Sequence, residues 1–179
     1  LRTVPGEARR HRPIITISRL LGAYGEEIAD ELSRLTGFQL MDREILEAIA
    51  RDFGVRSRVI ELLDENARSE LESWFGGMIT GRIIDRSDYL KSLAKTLGAI
   101  SNYGEMIIVG RGAHIILGPD KAFRVRVVAS LKNRIMRIAE KRDISQKDAE
   151  KIITDSDAMR SKFMKKSFGA DSDDPSTYD

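Results

Sequence analysis

Several stretches of this sequence carry residue types whose spacing suits the handling of a phosphate group. The first is Ser18-Arg19-Leu20-Leu21-Gly22-Ala23-Tyr24-Gly25. A glycine-bearing loop between an apolar strand and a helix offers backbone N–H groups and a helix N-terminus, and both attract phosphate. Ser18, Gly22 and Gly25 are the candidate phosphate-binding positions. The strict pattern G-x-x-x-x-G-K-[ST] is not met, because Glu26 and Glu27 follow Gly25. Without a lysine, Arg19 is the nearby cation able to face a donor. Two acids suit the start of a helix, yet they repel a triphosphate. A plain strand–helix turn is therefore the competing reading.

The second stretch is Gly110-Arg111-Gly112. Glycines on both sides let a backbone approach a ligand closely, and the arginine offers a planar fork suited to phosphate or a base edge. The alternative is a turn with a solvated arginine. The third is Asp157 with Arg160, three apart and so on one helix face. A carboxylate there can accept from a sugar hydroxyl while the arginine binds phosphate; an exposed ion pair of little consequence is the other reading. Arg134, Arg137, Lys141 and Arg142 form a basic surface at helical spacing, most simply a solvated face. His114, between Ala113 and Ile115, reads as a packed or capping residue rather than a base. Trp74-Phe75 reads as core or hinge.

Composition removes several other chemistries. The chain has 179 residues, no cysteine and two histidines, His11 and His114. Disulfides, thiolate nucleophiles, Cys-ligated metals and a multi-histidine metal site are excluded, and no metal ligand set is assigned. Lys+Arg total 30 against Asp+Glu 28, a net charge of +2, without the excess of a dedicated nucleic-acid binder. No apolar run approaches the roughly 20 residues of a membrane helix, and no signal peptide is read at the start. Cytoplasmic location and no nucleic-acid or membrane partner are the expectations. A start without Met leaves a fused or partner domain as a further expectation.

The elements that must position these residues follow from pattern. Residues 1–13, with Pro5, Gly6, Pro13 and four arginines, read as a flexible basic tail. Ile14 to Ile17 is a buried parallel strand. Glu26 to Thr36 is a helix stopped by Gly37. Residues 38–41 form a second strand, and Asp42 caps a helix over Ile45, Leu46, Ile49 and Phe53. Residues 55–103 read as an all-helical insertion. Met106 to Val109 and residues 123–129 are further strands. Ser130 caps a basic helix, and Ser145 with Asp148 opens a last helix through a capping box, running to Phe168 before Gly169. Strands alternating with helices predict an α/β fold with a parallel sheet. Ligands then sit beyond the carboxyl ends of the strands, where the 18–25 loop, Met41-Asp42-Arg43 and the 110–112 turn should meet. Asp42 joins the candidate acceptor residues on that ground.

Ile14-Thr16-Ile17-Ser18-Arg19 with Gly22 and Gly25, then Met41-Asp42-Arg43-Glu44, Gly110-Arg111-Gly112-Ala113, residues 123–129, and Asp157 with Arg160 and Phe168-Gly169, in that order, resemble the cytidylate-kinase-like family of P-loop nucleoside monophosphate kinases. The resemblance runs from Ile14 to Asp179. It implies a P-loop NTPase-type three-layer fold: a parallel sheet core, a helical monophosphate-binding flap (55–103) and a short lid within one domain (14–179). It further implies ATP as donor with Mg²⁺, and a nucleoside monophosphate or similar small acceptor. By that resemblance Arg111, Asp157 and Arg160 hold the acceptor, while lid arginines, Arg137 and Arg142 here, join Arg19 around the transferring phosphoryl. The chain departs from authentic cytidylate kinases at the loop lysine and hydroxyl, at Gly112 in place of Asp, and at Arg43 in place of Ser or Thr. The two functions to separate are phosphoryl transfer and a non-catalytic nucleotide-binding or regulatory module with a degenerate loop. A ligand-free helical interaction protein is a third.

Overall fold

The structure, a computed structural model, describes residues 13–42, 93–94, 96–98, 100–101 and 103–179. In chain order these form β1 (Ile14–Arg19), α1 (Gly25–Thr36), β2 (Gln39–Met41), β3 (Met106–Val109), α2 (Ala113–Leu117), β4 (Phe123–Val127), α3 (Leu131–Arg142), α4 (Gln146–Phe168) and a 3₁₀ turn at Pro175–Thr177. The described residues between 93 and 100 are also helical. The four strands make an all-parallel sheet in the order β2-β3-β1-β4. The register sets Ile17 beside Val109 on one side and Val125 on the other.

β-Branched and apolar residues fill β1 and β3 because helices cover both faces of the sheet. Successive side chains point to opposite faces, which divides the core in two. Ile17, Ile107 and Val109 pack with Ala29 of α1, and Leu32 and Phe38 close that cluster. Ile14, Met106, Ile108 and Met41 pack with Leu93, Leu97, Ile100, Ala113 and Leu117 on the other face. A third cluster of Ile138, Ala149 and Ile153 joins α3 to α4, with Leu21 of the 18–25 loop tucked against it. The α/β three-layer reading of the sequence holds.

The caps follow the sequence closely. Ser130 Oγ accepts from the Asn133 N–H at 3.3 Å and opens α3. Ser145 Oγ accepts from the Asp148 N–H at 3.1 Å and donates to its carboxylate at 2.7 Å, opening α4. Two expectations change. β4 stops at Val127 rather than 129, as the chain turns outward through exposed Val128 to reach the Ser130 cap. The short helix α2 follows directly on Gly112, where the sequence suggested only a turn. The tail before Pro13, Arg43 with the helix expected after Asp42, Trp74-Phe75 and most of the 55–103 insertion lie outside the described residues.

Candidate active site

A cleft of about 600 Å³ opens at the carboxyl ends of β1 and β3. Five arginines line it: Arg19, Arg111, Arg126, Arg134 and Arg160. Ser18 and Arg19 come from the end of β1, Arg111 from the 110–112 turn, Arg126 from β4, Arg134 from α3, and Asp157 and Arg160 from α4. Carboxyl-end placement is where open α/β sheets bind ligands.

Arg19 ties the two loops together. Its Nε donates to Glu26 at 2.8 Å, at the start of α1. Its stem lies across Gly25 so closely that a Cβ there would overlap it, and its guanidinium rests against Gly110. Glycine at 25 is thus required by the arginine that crosses it. Gly22 has a different task. It adopts φ +80°, and a Cβ would come within 3.1 Å of the Arg134 carbonyl and 3.2 Å of Ile138. Its lack of a side chain lets α3 pack on the loop.

The acids after Gly25 are matched by cations. Glu27 pairs with Arg137 and, at 3.3 Å, with Lys141. Partial burial opposes its ionisation, but its own backbone N–H, Lys141 and Arg137 together hold the carboxyl below the usual range. Arg137 also lies 3.3 Å over the ring of Tyr24, a cation–π contact. Tyr24 takes a left-handed φ of 65° to start α1.

Arg111 adopts φ +54° between Gly110 at +83° and Gly112 at +70°. A left-handed non-glycine residue carries strain, and such strain concentrates at binding sites. Asp157 and Arg160 share a face of α4, as their spacing requires, but they reach different partners. Asp157 Oδ2 accepts from Arg134 Nη1 at 2.8 Å, and its Oδ1 is buried without a hydrogen-bond partner. Arg160 Nη1 donates to the Arg19 carbonyl at 3.0 Å. Arg134 is buried and also reaches the Leu21 carbonyl at 3.4 Å, which corrects its expected place on a solvated face. The helical period assigns a face but not the neighbour that covers it.

At the β4 end, Arg126 donates through Nη1 to Ser18 Oγ at 3.2 Å and Tyr178 Oη at 3.3 Å, and pairs through Nη2 with Asp173. Tyr178 stacks on His114 with ring centroids 4.9 Å apart. His114 is buried, as its apolar neighbours suggested. Burial, then Arg126 and Arg124, push its imidazole down to about 4, so it is neutral at pH 7.

Of the sequence candidates, Ser18, Arg19, Arg111, Asp157 and Arg160 line the cleft. Gly22, Gly25 and Arg137 belong to the loop and its supports. Arg142, the exposed last residue of α3, and Asp42, at the end of β2, are not part of the lining. So the 18–25 loop and the 110–112 turn meet. Arg134, Arg126 and Asp173 were missed as site residues: Arg126 read only as part of the 123–129 strand, and nothing in the sequence joins it to Asp173, 47 residues on.

A family model described as the cytidylate kinase-like family matches residues 14–179. The chain belongs to the cytidylate kinase-like family. Among solved structures, an uncharacterized protein from Eubacterium ventriosum is 20% identical, with a TM-score of 0.70 over 94% of this chain and 85% of that one. A shikimate kinase from Bacteroides thetaiotaomicron is 12% identical, with a TM-score of 0.47 over 86% and 82%. A gluconokinase from Sinorhizobium meliloti 1021 is 13% identical, with a TM-score of 0.43 over 83% and 76%. No curated relative matches the chain. No helix among the described residues is long and apolar enough to cross a membrane.

Within this cytidylate kinase-like chain the described residues do not form a ready place for Mg²⁺. The positions after Gly25 that would offer a hydroxyl are Glu26 and Glu27, both engaged by arginines. No cluster of three metal-ligating side chains exists among the described residues.

Proposed function

We propose that the chain transfers a phosphoryl group from ATP to a nucleoside monophosphate or a similar small acceptor held in the arginine-lined cleft. The observation that carries this reading is Arg19. It touches the start of α1 through Glu26 and the 110–112 turn through Gly110, and so lies between a donor on the loop and an acceptor on the turn. Phosphoryl transfer needs little covalent chemistry from the protein; positioning and charge stabilisation supply most of the barrier reduction. Arg19 takes the place of the missing lysine. Arg111 and Arg160 hold the acceptor's phosphate. Asp157, one oxygen fixed by Arg134, turns the other to a hydroxyl of the acceptor. Arg137 sits beside the loop on Glu27 and Tyr24, available to a donor phosphate. Arg142, exposed at the end of α3, has no part in this reading.

The Arg19–Glu26 ion pair also favours a second reading, because it satisfies the loop cation internally. In that case the cleft binds a nucleotide without turnover. ADP release from ATP, Mg²⁺ and CMP or other nucleoside monophosphates, with calorimetry on each ligand, separates the two. Turnover that falls by about 100-fold in Arg19→Ala is expected, the loss typical of one removed charge-stabilising donor. Binding of both nucleotides with no turnover would establish the second reading. Failure of both to bind would remove the cleft as a nucleotide site.

A further inference from the structure

The β4 side of the cleft holds a set of donors that the phosphotransfer reading leaves unused. The Arg126 side chain is 12% exposed, while its partner Asp173 is 74% exposed. The pair is therefore lopsided. A guanidinium this enclosed favours an anion at its open edge, although Ser18 and Tyr178 already satisfy Nη1. A carboxylate this exposed gains little from the pair and loses little by turning into water. The surrounding main chain is anchored separately: Ser172 is buried, and its carbonyl accepts from the Tyr178 hydroxyl at 2.9 Å. Asp173 can leave Arg126 without disturbing that anchor.

The geometry points to an oxyanion subsite formed by Arg126 and Ser18 and braced by Tyr178, which Asp173 fills as a tethered carboxylate until a phosphate or carboxylate group of the ligand displaces it. The Nη2 edge, aimed at Asp173, faces the cleft; Ser18, Arg126 and Asp173 all line it. Ser18 Oγ accepts from Nη1 and keeps its own proton for an anion, while Tyr178 Oη, whose proton is committed to the Ser172 carbonyl, braces Nη1 as an acceptor. Arg126 and Arg124 help to keep the proton off His114, and a field that repels a proton attracts an oxyanion. The inference rests on the reading of this cleft as the ligand site, but not on turnover.

Calorimetric titration of the whole chain with inorganic phosphate, acetate and CMP tests it. A seat filled by its own carboxylate about two-thirds of the time weakens apparent affinity about threefold. Asp173→Asn and Asp173→Ala should therefore tighten at least one probe by several-fold, and Arg126→Gln should abolish the gain. Because Arg126→Gln can disturb folding, Ser18→Ala in the Asp173→Asn background serves as the second variant and should weaken the same probe. Tightening for phosphate and CMP but not acetate assigns the subsite to a phosphate group; tightening for acetate assigns it to a carboxylate. Unchanged affinity for all three probes in a folded Asp173→Ala chain overturns the subsite. Tightened binding with no turnover in the ADP assay would keep the subsite and remove the phosphotransfer reading, and turnover with unchanged affinity would do the reverse.

Discussion

Two ion pairs line the same cleft and are built for different purposes. Arg134 and Asp157 are 8% and 28% exposed, and Arg134 is further held by the Leu21 carbonyl while its backbone packs on Gly22. That pair joins α3, α4 and the 18–25 loop into one unit. Arg126 and Asp173 share the same chemistry, but the acid is on a surface turn and largely in water. The difference teaches that a cleft crowded with arginines is not uniformly available to a ligand. Where the arginine is buried and its acid is mostly covered, breaking the pair strands a charge and the pair acts as structure. Where one is exposed, the anion can be exchanged.

The sharpest way to break this contrast is Asp157→Ala. It leaves buried Arg134 without its carboxylate, and the expected cost is about 3 kcal/mol of unfolding free energy, read as a lower midpoint in urea. A loss below about 0.5 kcal/mol would place Arg134–Asp157 in the same class as an ordinary surface pair and erase the distinction.

Acid titration probes the Arg126 side next. His114 has an ordinary value of 6.5 and is held near 4 in the fold. Between those values the unfolded chain takes up a proton that the folded chain refuses. Stability is therefore complete above about pH 6.5 and is lost as the pH falls towards 4, by on the order of 1–3 kcal/mol. Asp179, whose carboxyl the Arg124 side chain and backbone N–H lower to about 2, adds a separate loss as the pH drops below its ordinary 3.8. His114→Gln should flatten the upper window alone. Arg126→Gln should raise the His114 value, seen by NMR titration; an unmoved value would detach the histidine from the arginine field.

Much of this arrangement is legible in the sequence because it depends on local rules. The β-branched run at Ile14–Ile17, Ser130, Ser145 and Gly169 set strand and helix ends through side-chain fit and capping, which are short-range. The meeting of the 18–25 loop with the 110–112 turn follows from parallel topology alone. What escaped is long-range pairing. Nothing in the spacing of α3 tells Arg134 that it faces Asp157, 23 residues away, or Glu27 that it meets Arg137, 110 residues away. The same ignorance hid a packing task of Gly22, which admits a helix that comes over 100 residues later. α2 was missed because five residues after a glycine turn carry too little periodicity to register.

Backbone strain gives a smaller effect on the ligand side of the comparison. Arg111 and Asp143 both hold left-handed φ, at 54° and 53°. Glycine at either position should stabilise the chain by up to about 1 kcal/mol. Only Arg111→Gly should also weaken CMP or phosphate binding, since Asp143 caps α3 outside the cleft. Equal binding in the two variants would mean that Arg111 is in its strained conformation for packing, not for a ligand.

The smallest effect is expected where the exchangeable pair is cut. Asp173→Asn removes the charge opposite Arg126 but leaves the amide oxygen within reach of Nη2, and the loss of stability should be within about 0.5 kcal/mol. Arg126 keeps its bonds to Ser18 and Tyr178 and its position 5.6 Å over the Tyr178 ring, so it is not stranded as Arg134 would be. Melting of Asp157→Ala and Asp173→Asn side by side makes the comparison quantitative. If Asp173→Asn melts as low as Asp157→Ala, the exposed carboxylate is a structural strut after all, and a displaceable anion at Arg126 loses its physical basis.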